Sequence, residues 1–451
     1  MISGNDNAGD GGGRDVGTIE DLLVRRLRQL GVTRTYGLAL TGLDHVPIED
    51  PDLAVLMADA DGRIGHPDGR GRLGAATLAG PILHLSSCPG GRAPLQTIGS
   101  AEELVDALVD PPGLTVPGTL ALHLDLDLTD PVPDVLVPSV PIERSPVLTL
   151  DPSLAGLRLI ALVGPGVVRS GAVDDLRSFA RAGVVPVLAT WGAIGAERWD
   201  SPYHAGVGGL QAADLALGGL DDADVIIATG LDLAEVPADR LSRLVVQDVP
   251  PAQLAALCQA WPAPRTAPDP DAWPSVRRAL AGVLTPMVES DAVPLTGPRA
   301  ALHLSGALPD GGIAVADPGP AGFWVARSFP TSFPGSVCVP ATVEPGFAAA
   351  AALVCTLDDR PCLAVTDVDG AASEATAAVV DLARSMRAAM ALQVWGDGTG
   401  SDGTVTRSSD HVDLLIAHLA SREVRIDPVP VDLSLPDGLV DLAGPVIAWG
   451  G

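Results

Sequence analysis

Positive charge is what this chain has least of. Lys and Arg together number 28 against 56 Asp and Glu, a net charge of −28. Affinity for nucleic acid comes largely from basic side chains displacing counterions at phosphates, so this balance argues against a nucleic-acid partner. It argues equally against an anionic membrane surface. Aromatic residues are scarce at 3%, which points to cores packed from Ala, Val and Leu. The five cysteines, Cys88, Cys258, Cys338, Cys355 and Cys362, form no CxxC pair. They read as small buried hydrophobes in a reducing compartment. No apolar run approaches the length that spans a bilayer. Residues 1–17 are rich in Gly, Asp and Asn with no apolar stretch, so a disordered tail is expected there and not a signal peptide. A cytoplasmic protein follows as the expectation.

What is present is hydrophobic mass and regular alternation. Hydrophobic residues make up 47% of the 451 positions, enough for about two to four domains of the usual size of roughly 100–200 residues. Thr18 stands as N-cap before Ile19, Leu22, Leu23, Leu27 and Leu30, one apolar face of a helix that Gly31 ends. The segment Val32 to Gly37 then reads as a strand, 51–60 as a helix and 61–71 as a loop. Buried strands are expected at 81–86 and 119–125, with a helix at 101–109 between them. Residues 131–146 hold five prolines and read as a linker. Strand-like runs follow at 157–163, 184–189, 224–229 and 244–248. A second proline-rich joint covers 262–274. Beyond it come helices near 275–284, 297–308 and 345–357, a strand at 312–316, a helix at 410–419 and closing strands at 423–426 and 446–449. Strands alternating with helices in this way predict doubly wound parallel sheets. The chain is therefore read as α/β, with three doubly wound parallel-sheet domains in tandem.

One stretch carries candidate chemistry. Asp367-Val-Asp-Gly370 ends the apolar run from Cys362 to Thr366, and Trp395-Gly-Asp-Gly398 ends the run from Ala389 to Val394. The Pro-free and Gly-free segment 371–387 between them suits a crossover helix. Asp369 and Asp397 then fall at the carboxyl ends of neighbouring strands, where open α/β sheets bind ligands. Two such carboxylates suit Mg²⁺. They suit helix N-caps or Asp-Gly turns as well. The histidines His45, His66, His84, His123 and His204 have no Ser, Cys or carboxylate at a recognisable spacing. His84 and His123 lie in apolar strands and read as core histidines. Gly164-Pro-Gly166 lacks the third glycine of a dinucleotide fingerprint.

Taken together, these segments resemble the acetolactate synthase-like family of thiamine-diphosphate-dependent enzymes. The similarity covers most of residues 18–451. It is densest from Leu162-Val-Gly-Pro-Gly-Val-Val-Arg-Ser-Gly-Ala172 through Thr190-Trp-Gly-Ala-Ile-Gly195, Asp200-Ser-Pro-Tyr-His204, Gly208-Gly-Leu-Gln211 and 222–230. The resemblance implies a disordered tail (1–17), a shortened pyrimidine-binding-like domain (18–140) and a middle domain (153–261). A linker with an approach helix (262–296) and a diphosphate-binding-like domain (297–451) complete it. It implies thiamine diphosphate and Mg²⁺ as cofactors, with Asp369, Gly370 and Asp397 on the cofactor and Asp369 and Asp397 on the metal. Nothing in the chain calls for FAD.

The family's patterns are altered in three places. Val368 stands for the first glycine of its Gly-Asp-Gly, and Gly396-Asp397 for its Asn-Asn. Pro51 takes the position of the glutamate that activates the pyrimidine ring, leaving Glu49 and Asp50 beside it as substitute catalytic carboxylates. Pro345-Gly346 stand where a bulky apolar residue props the cofactor. The expectation is a divergent member with weakened or lost cofactor binding, acting as a non-catalytic or partner subunit. The other reading is an active 2-oxo acid decarboxylase or carboligase. Because the family builds its site between subunits, a homodimer or a heteromer with an intact paralogue is expected.

Overall fold

The structure is a computed structural model. It describes residues 17–88, 93–132, 156–242, 244, 246–261, 272–396 and 405–450. Three sheets follow one another along these segments. The first contains β1 (Arg34–Gly37), β2 (Asp44–Pro47), β3 (Gly74–Leu78), β4 (Ile82–Ser86), β5 (Leu95–Ile98) and β6 (Thr119–Leu124), in the order β2-β1-β3-β4-β6-β5. The second is formed by β7 (Leu159–Val163), β8 (Val187–Thr190), β9 (His204–Gly208), β10 (Val225–Thr229) and β11 (Val246–Asp248), in the order β11-β10-β7-β8-β9. The third holds β12 (Leu295–Thr296), β13 (Ile313–Ala316), β14 (Val337–Cys338), β15 (Cys362–Asp367), β16 (Met390–Gly396) and β17 (Val424–Asp432). Its order is β12-β17-β16-β15-β13-β14.

The α/β class with successive parallel sheets holds. The second and third sheets are parallel throughout. The first departs at one strand, because β4 runs antiparallel to both β3 and β6. The cause is local. Gly80 takes φ +84° just after β3, turning the chain straight back into β4. The strand β3, Gly-Ala-Ala-Thr-Leu, lies where only a loop is expected from sequence. It lacks the run of β-branched residues that usually marks a strand. At the other end of the chain, the expected strand at 446–449 is absent: Ala448–Gly450 form a short 3-10 turn. Of the proline-rich joints and the N-terminal tail, residues 1–16, 133–155 and 262–271 lie outside the described residues.

One helix is packed on both sides and joins the first sheet to the third. The helix Pro51–Ile64 lies directly on β3 and β4: a Cβ on Gly74 would sit 1.7 Å from the Ala58 carbonyl oxygen, and one on Gly62 would sit 1.8 Å from that of Ser86. Its opposite side meets the helix Phe347–Leu357, whose residues 347–351 and 353–355 are fully buried. Met57, Leu56 and Tyr36 share one hydrophobic core with Phe347, Leu353 and Val354. Alanines at 348–352 are buried in the same core, so this stretch adds little side-chain bulk between the two helices.

Buried arginines hold the loop after Pro51–Ile64. Arg169, from the middle domain, donates to the carbonyls of Gly62 (3.0 Å), Arg72 (2.9 Å) and Gly113 (2.7 Å). Burial, with Arg63 close by, pulls its guanidinium down to about 9. Arg360, from the third domain, donates to the carbonyls of Ile64 (3.3 Å) and Gly335 (2.8 Å). Arg63 pairs with Glu235 at 3.2 Å, and Arg72 with Asp358 at 2.6 Å.

The third sheet carries a further fixed joint. Asp317, just past β13, accepts from the backbone N–H of Ala348 (2.8 Å) and from the Thr366 hydroxyl (2.6 Å). It thereby ties the start of Phe347–Leu357 to the end of β15. Burial raises its carboxyl to about 6, although both hydrogen bonds pull the other way.

Two outcomes are expected. Arg169→Ala takes this donor from the buried Gly62 and Arg72 carbonyls, while Gly113 keeps the Ser87 hydroxyl, and each buried group left unpaired costs about 1–3 kcal/mol. Urea unfolding followed by circular dichroism should therefore show a loss of about 3 kcal/mol or more, and a loss under about 1 kcal/mol would reject the clamp. For Asp317, the unfolded carboxyl titrates near 3.9 and the folded one at about 6. The native state holds the extra proton between these values, so this group removes stability as pH rises across that window. Asp317→Asn should thus gain stability relative to the parent from about pH 4 to about pH 6 and level off above about pH 7; a difference that stays flat with pH would contradict the assignment.

Candidate functional site

The carboxyl ends of β13, β15 and β17 open onto a cavity of about 640 Å³. Its wall is acidic on one side, with Asp317, Asp367, Asp369 and Glu344. The other side is apolar, with Phe323, Leu433, Leu435, Val446 and Trp449. This is the place that strand-end reasoning selects, and Asp369 and Gly370 both line it. Asp367 is the last residue of β15, and Val368–Ala371 form a single helical turn after it. The Asp367 carboxylate caps that turn by accepting from the Gly370 N–H at 2.9 Å. Asp369, one step further, is exposed on the cavity wall. Gly370 is required by crowding: a Cβ there would meet the Thr366 hydroxyl oxygen at 2.2 Å.

Other expected site residues fall elsewhere. Asp397 lies outside the described residues, which stop at Gly396 and resume at Val405. Glu49 and Asp50 are exposed, and neither lines the cavity. Asp50 is the N-cap of Pro51–Ile64 and accepts from the N–H of Asp52 (2.9 Å) and Leu53 (3.4 Å). Pro51 behind it occupies the first helical position, where its missing N–H costs nothing. Arg384 and Arg407, which lie near Asp397 in sequence, pair with Asp381 (3.2 Å) and Asp410 (2.9 Å). Like Arg387, they stand away from the cavity wall, and no basic side chain lines it among the described residues.

Sequence reading missed Asp317, Asp367, Ser373 and Trp449. A signal existed for the first. Asp317-Pro-Gly319 follows the apolar run 312–316 just as Asp367 follows 362–366, so both are acids at the ends of adjacent parallel strands. Trp449 had no local signal; it reaches the cavity because the chain turns back after Asp437–Ala443, and its indole N–H donates to the Pro340 carbonyl at 2.7 Å. Of the histidines, His84 is a core residue bonded to Asp59 at 2.8 Å.

A magnesium diphosphate needs hard oxygen ligands on the metal and free donors or cations on the phosphates. Asp369 is available as one ligand. The donors at three nearby helix starts are taken by protein oxygens: Gly370 N–H by Asp367, Thr376 N–H by Ser373 (3.1 Å) and Ala348 N–H by Asp317. No group of three or more His, Cys, Asp or Glu placed to hold a metal occurs among the described residues. The described side chains therefore do not fit a magnesium diphosphate.

Comparison with known proteins bears on the origin of this arrangement. Residues 156–257 match the family described as the thiamine pyrophosphate enzyme central domain. The acetolactate synthase large subunit of Corynebacterium glutamicum is 28% identical over 106 residues, which is 22% of this chain and 17% of that protein's length. Benzoylformate decarboxylase from Polynucleobacter necessarius superposes with a TM-score of 0.61 at 13% identity, covering 93% of this chain and 99% of the other. The thiamine diphosphate-dependent 4-hydroxybenzoylformate decarboxylase of Rhodococcus jostii RHA1 gives 0.63 at 13% identity, with 93% and 100% covered. No helix among the described residues is long and apolar enough to cross a membrane. Residues 156–257 thus match the thiamine pyrophosphate enzyme central domain, and the chain as a whole shares the fold of these thiamine diphosphate-dependent neighbours.

Proposed function

We propose that this chain is a family member whose own cofactor site has lapsed, and that it serves in the cytoplasm as a non-catalytic or partner subunit. The observation that carries this is Asp50. It is one of two carboxylates left beside the missing pyrimidine glutamate, and it is committed to capping its own helix with Pro51 immediately behind it. A cap contributes about 1 kcal/mol only while its oxygen stays on the helix N–H groups, so it is poorly free to act on a cofactor ring. The acidic wall of the cavity, with no basic side chain among its described residues, supports the same reading. A diphosphate entering there meets Asp317, Asp367 and Asp369. A second copy of this chain, or an intact paralogue, is the natural partner.

One observation favours the other reading, an active decarboxylase or carboligase on 2-oxo acids. The cavity is large, its far wall is aromatic and aliphatic through Phe323 and Trp449, and Asp369 faces it. Two of the structural neighbours are decarboxylases of benzoylformates. Calorimetry and thermal unfolding with thiamine diphosphate and Mg²⁺ separate the readings. No saturable heat and no shift of the unfolding temperature are expected at millimolar cofactor. A stabilisation approaching the roughly 2.7 kcal/mol due at 100 times Kd would overturn the proposal. Its loss in Asp369→Ala would then assign the metal to that residue.

A further inference from the structure

A second cavity, of about 330 Å³, lies between the middle and third domains, away from the strand-end site. Specific pockets for small molecules begin at roughly 300 Å³. One wall is the helix Val276–Glu289, which presents Leu280, Ala281, Leu284 and Val288. The facing wall is Val207 at the end of β9 together with Arg327 and Ser328. The floor is aliphatic, and the polar groups around it are the guanidinium groups of Arg277 and Arg327 and the hydroxyls of Thr285 and Ser328, with the carboxylate of Glu289 at the far end.

Two of those donors are not spent. The Ser328 hydroxyl and the Arg327 Nε are buried and have no hydrogen-bond partner among the described residues. The other nitrogens of Arg327 are used, on Asp214 (2.8 Å), Gln211 (3.1 Å) and the Val207 carbonyl (2.9 Å), so its position is fixed. Buried polar atoms without partners are uncommon in native proteins, and these two belong to adjacent residues that line the cavity.

Arg277 adds charge to this end of the groove. Its guanidinium lies 5.1 Å over the Trp199 ring, and its Nη1 donates to the Trp199 carbonyl at 2.6 Å. Among the described residues it has no carboxylate partner, and it occupies the first turn of Val276–Glu289, a turn that contains no acidic residue. A cation at the positive pole of a helix is unfavourable, and an anion beside it is stabilised by both. Gly206, whose Cβ would lie 2.9 Å from the Arg277 backbone nitrogen, brings β9 against this turn, which places Arg277 beside Val207 and Arg327. Twelve residues at about 1.5 Å each set Glu289 about 18 Å away, beyond reach of a ligand group held at Arg277.

We propose that this groove binds an amphipathic monocarboxylate, with its carboxylate at Arg277 and its aliphatic or aryl body along Leu280, Leu284 and Val288. The site does not depend on the cofactor reading above.

Octanoate is the probe, with 1-octanol as its uncharged counterpart. Calorimetry and tryptophan fluorescence on the full chain should show one saturable site for octanoate and affinity for octanol at least tenfold weaker. Arg277→Gln, at an exposed position, should weaken octanoate at least tenfold, and Arg277→Lys should restore part of the loss. Ala281→Trp fills the groove from an exposed position and should abolish binding with an unchanged unfolding temperature. Asp369→Ala should leave the affinity untouched, separating this groove from the larger cavity. The assignment is overturned by the absence of saturable binding, by equal affinity for octanoate and octanol, or by an undiminished affinity in Arg277→Gln.

Discussion

The structure depends on guanidinium groups bonded to backbone carbonyls at the loop that follows Pro51–Ile64. Arg169 reaches it from the middle domain, Arg360 from the third, and Arg63 and Arg72 fix it from within. All 28 basic residues of this chain are arginines; it contains no lysine. That suits the task. A planar guanidinium offers five donors in a fixed fork and is more weakly hydrated than an ammonium, so it tolerates a dry interface where several carbonyls converge. The acid at the same junction is less comfortable, since burial raises the Glu235 carboxyl despite Arg63 beside it.

Much of the architecture was legible because it rests on local signals. The Thr18 cap appears with Asp21 answering it in a capping box. The strand at 159–163 is an uninterrupted apolar run and that at 362–367 begins with one, 362–365, as strands buried on both faces should. What escaped was decided by tertiary contact. The Gly-Ala-Ala of β3 is a strand because a helix lies on its backbone, which no propensity records. The β9 strand, His-Ala-Gly-Val-Gly, is interrupted by Gly206, where the start of the distant helix Val276–Glu289 closes on its backbone.

The candidate site divides in the same way. An acid at a strand end is visible in sequence, and the cavity forms there. What that acid does is not visible. Asp50 and Asp367 spend their oxygens on helix N–H groups, while Asp369, two residues after Asp367, faces open space. Only the rotation of one helical turn separates a cap from a ligand, and a sequence motif does not encode it. Turn and ligand readings of Asp-Gly were both reasonable, and neighbouring residues of one motif realise the cap and the exposed acid.

The alanine face of Phe347–Leu357 has a consequence for how this molecule can change. With backbone carbonyls closing on Gly62 and Gly74, and buried alanines at 348–352 in the core on its other side, enlargement at these positions must shift the helix Pro51–Ile64 itself. Side chains at the cavity rim and on the outer helices carry no such penalty. The molecule is dimensionally rigid where its domains meet and chemically permissive where ligands meet it. A lineage of such chains can exchange one binding chemistry for another without disturbing its frame.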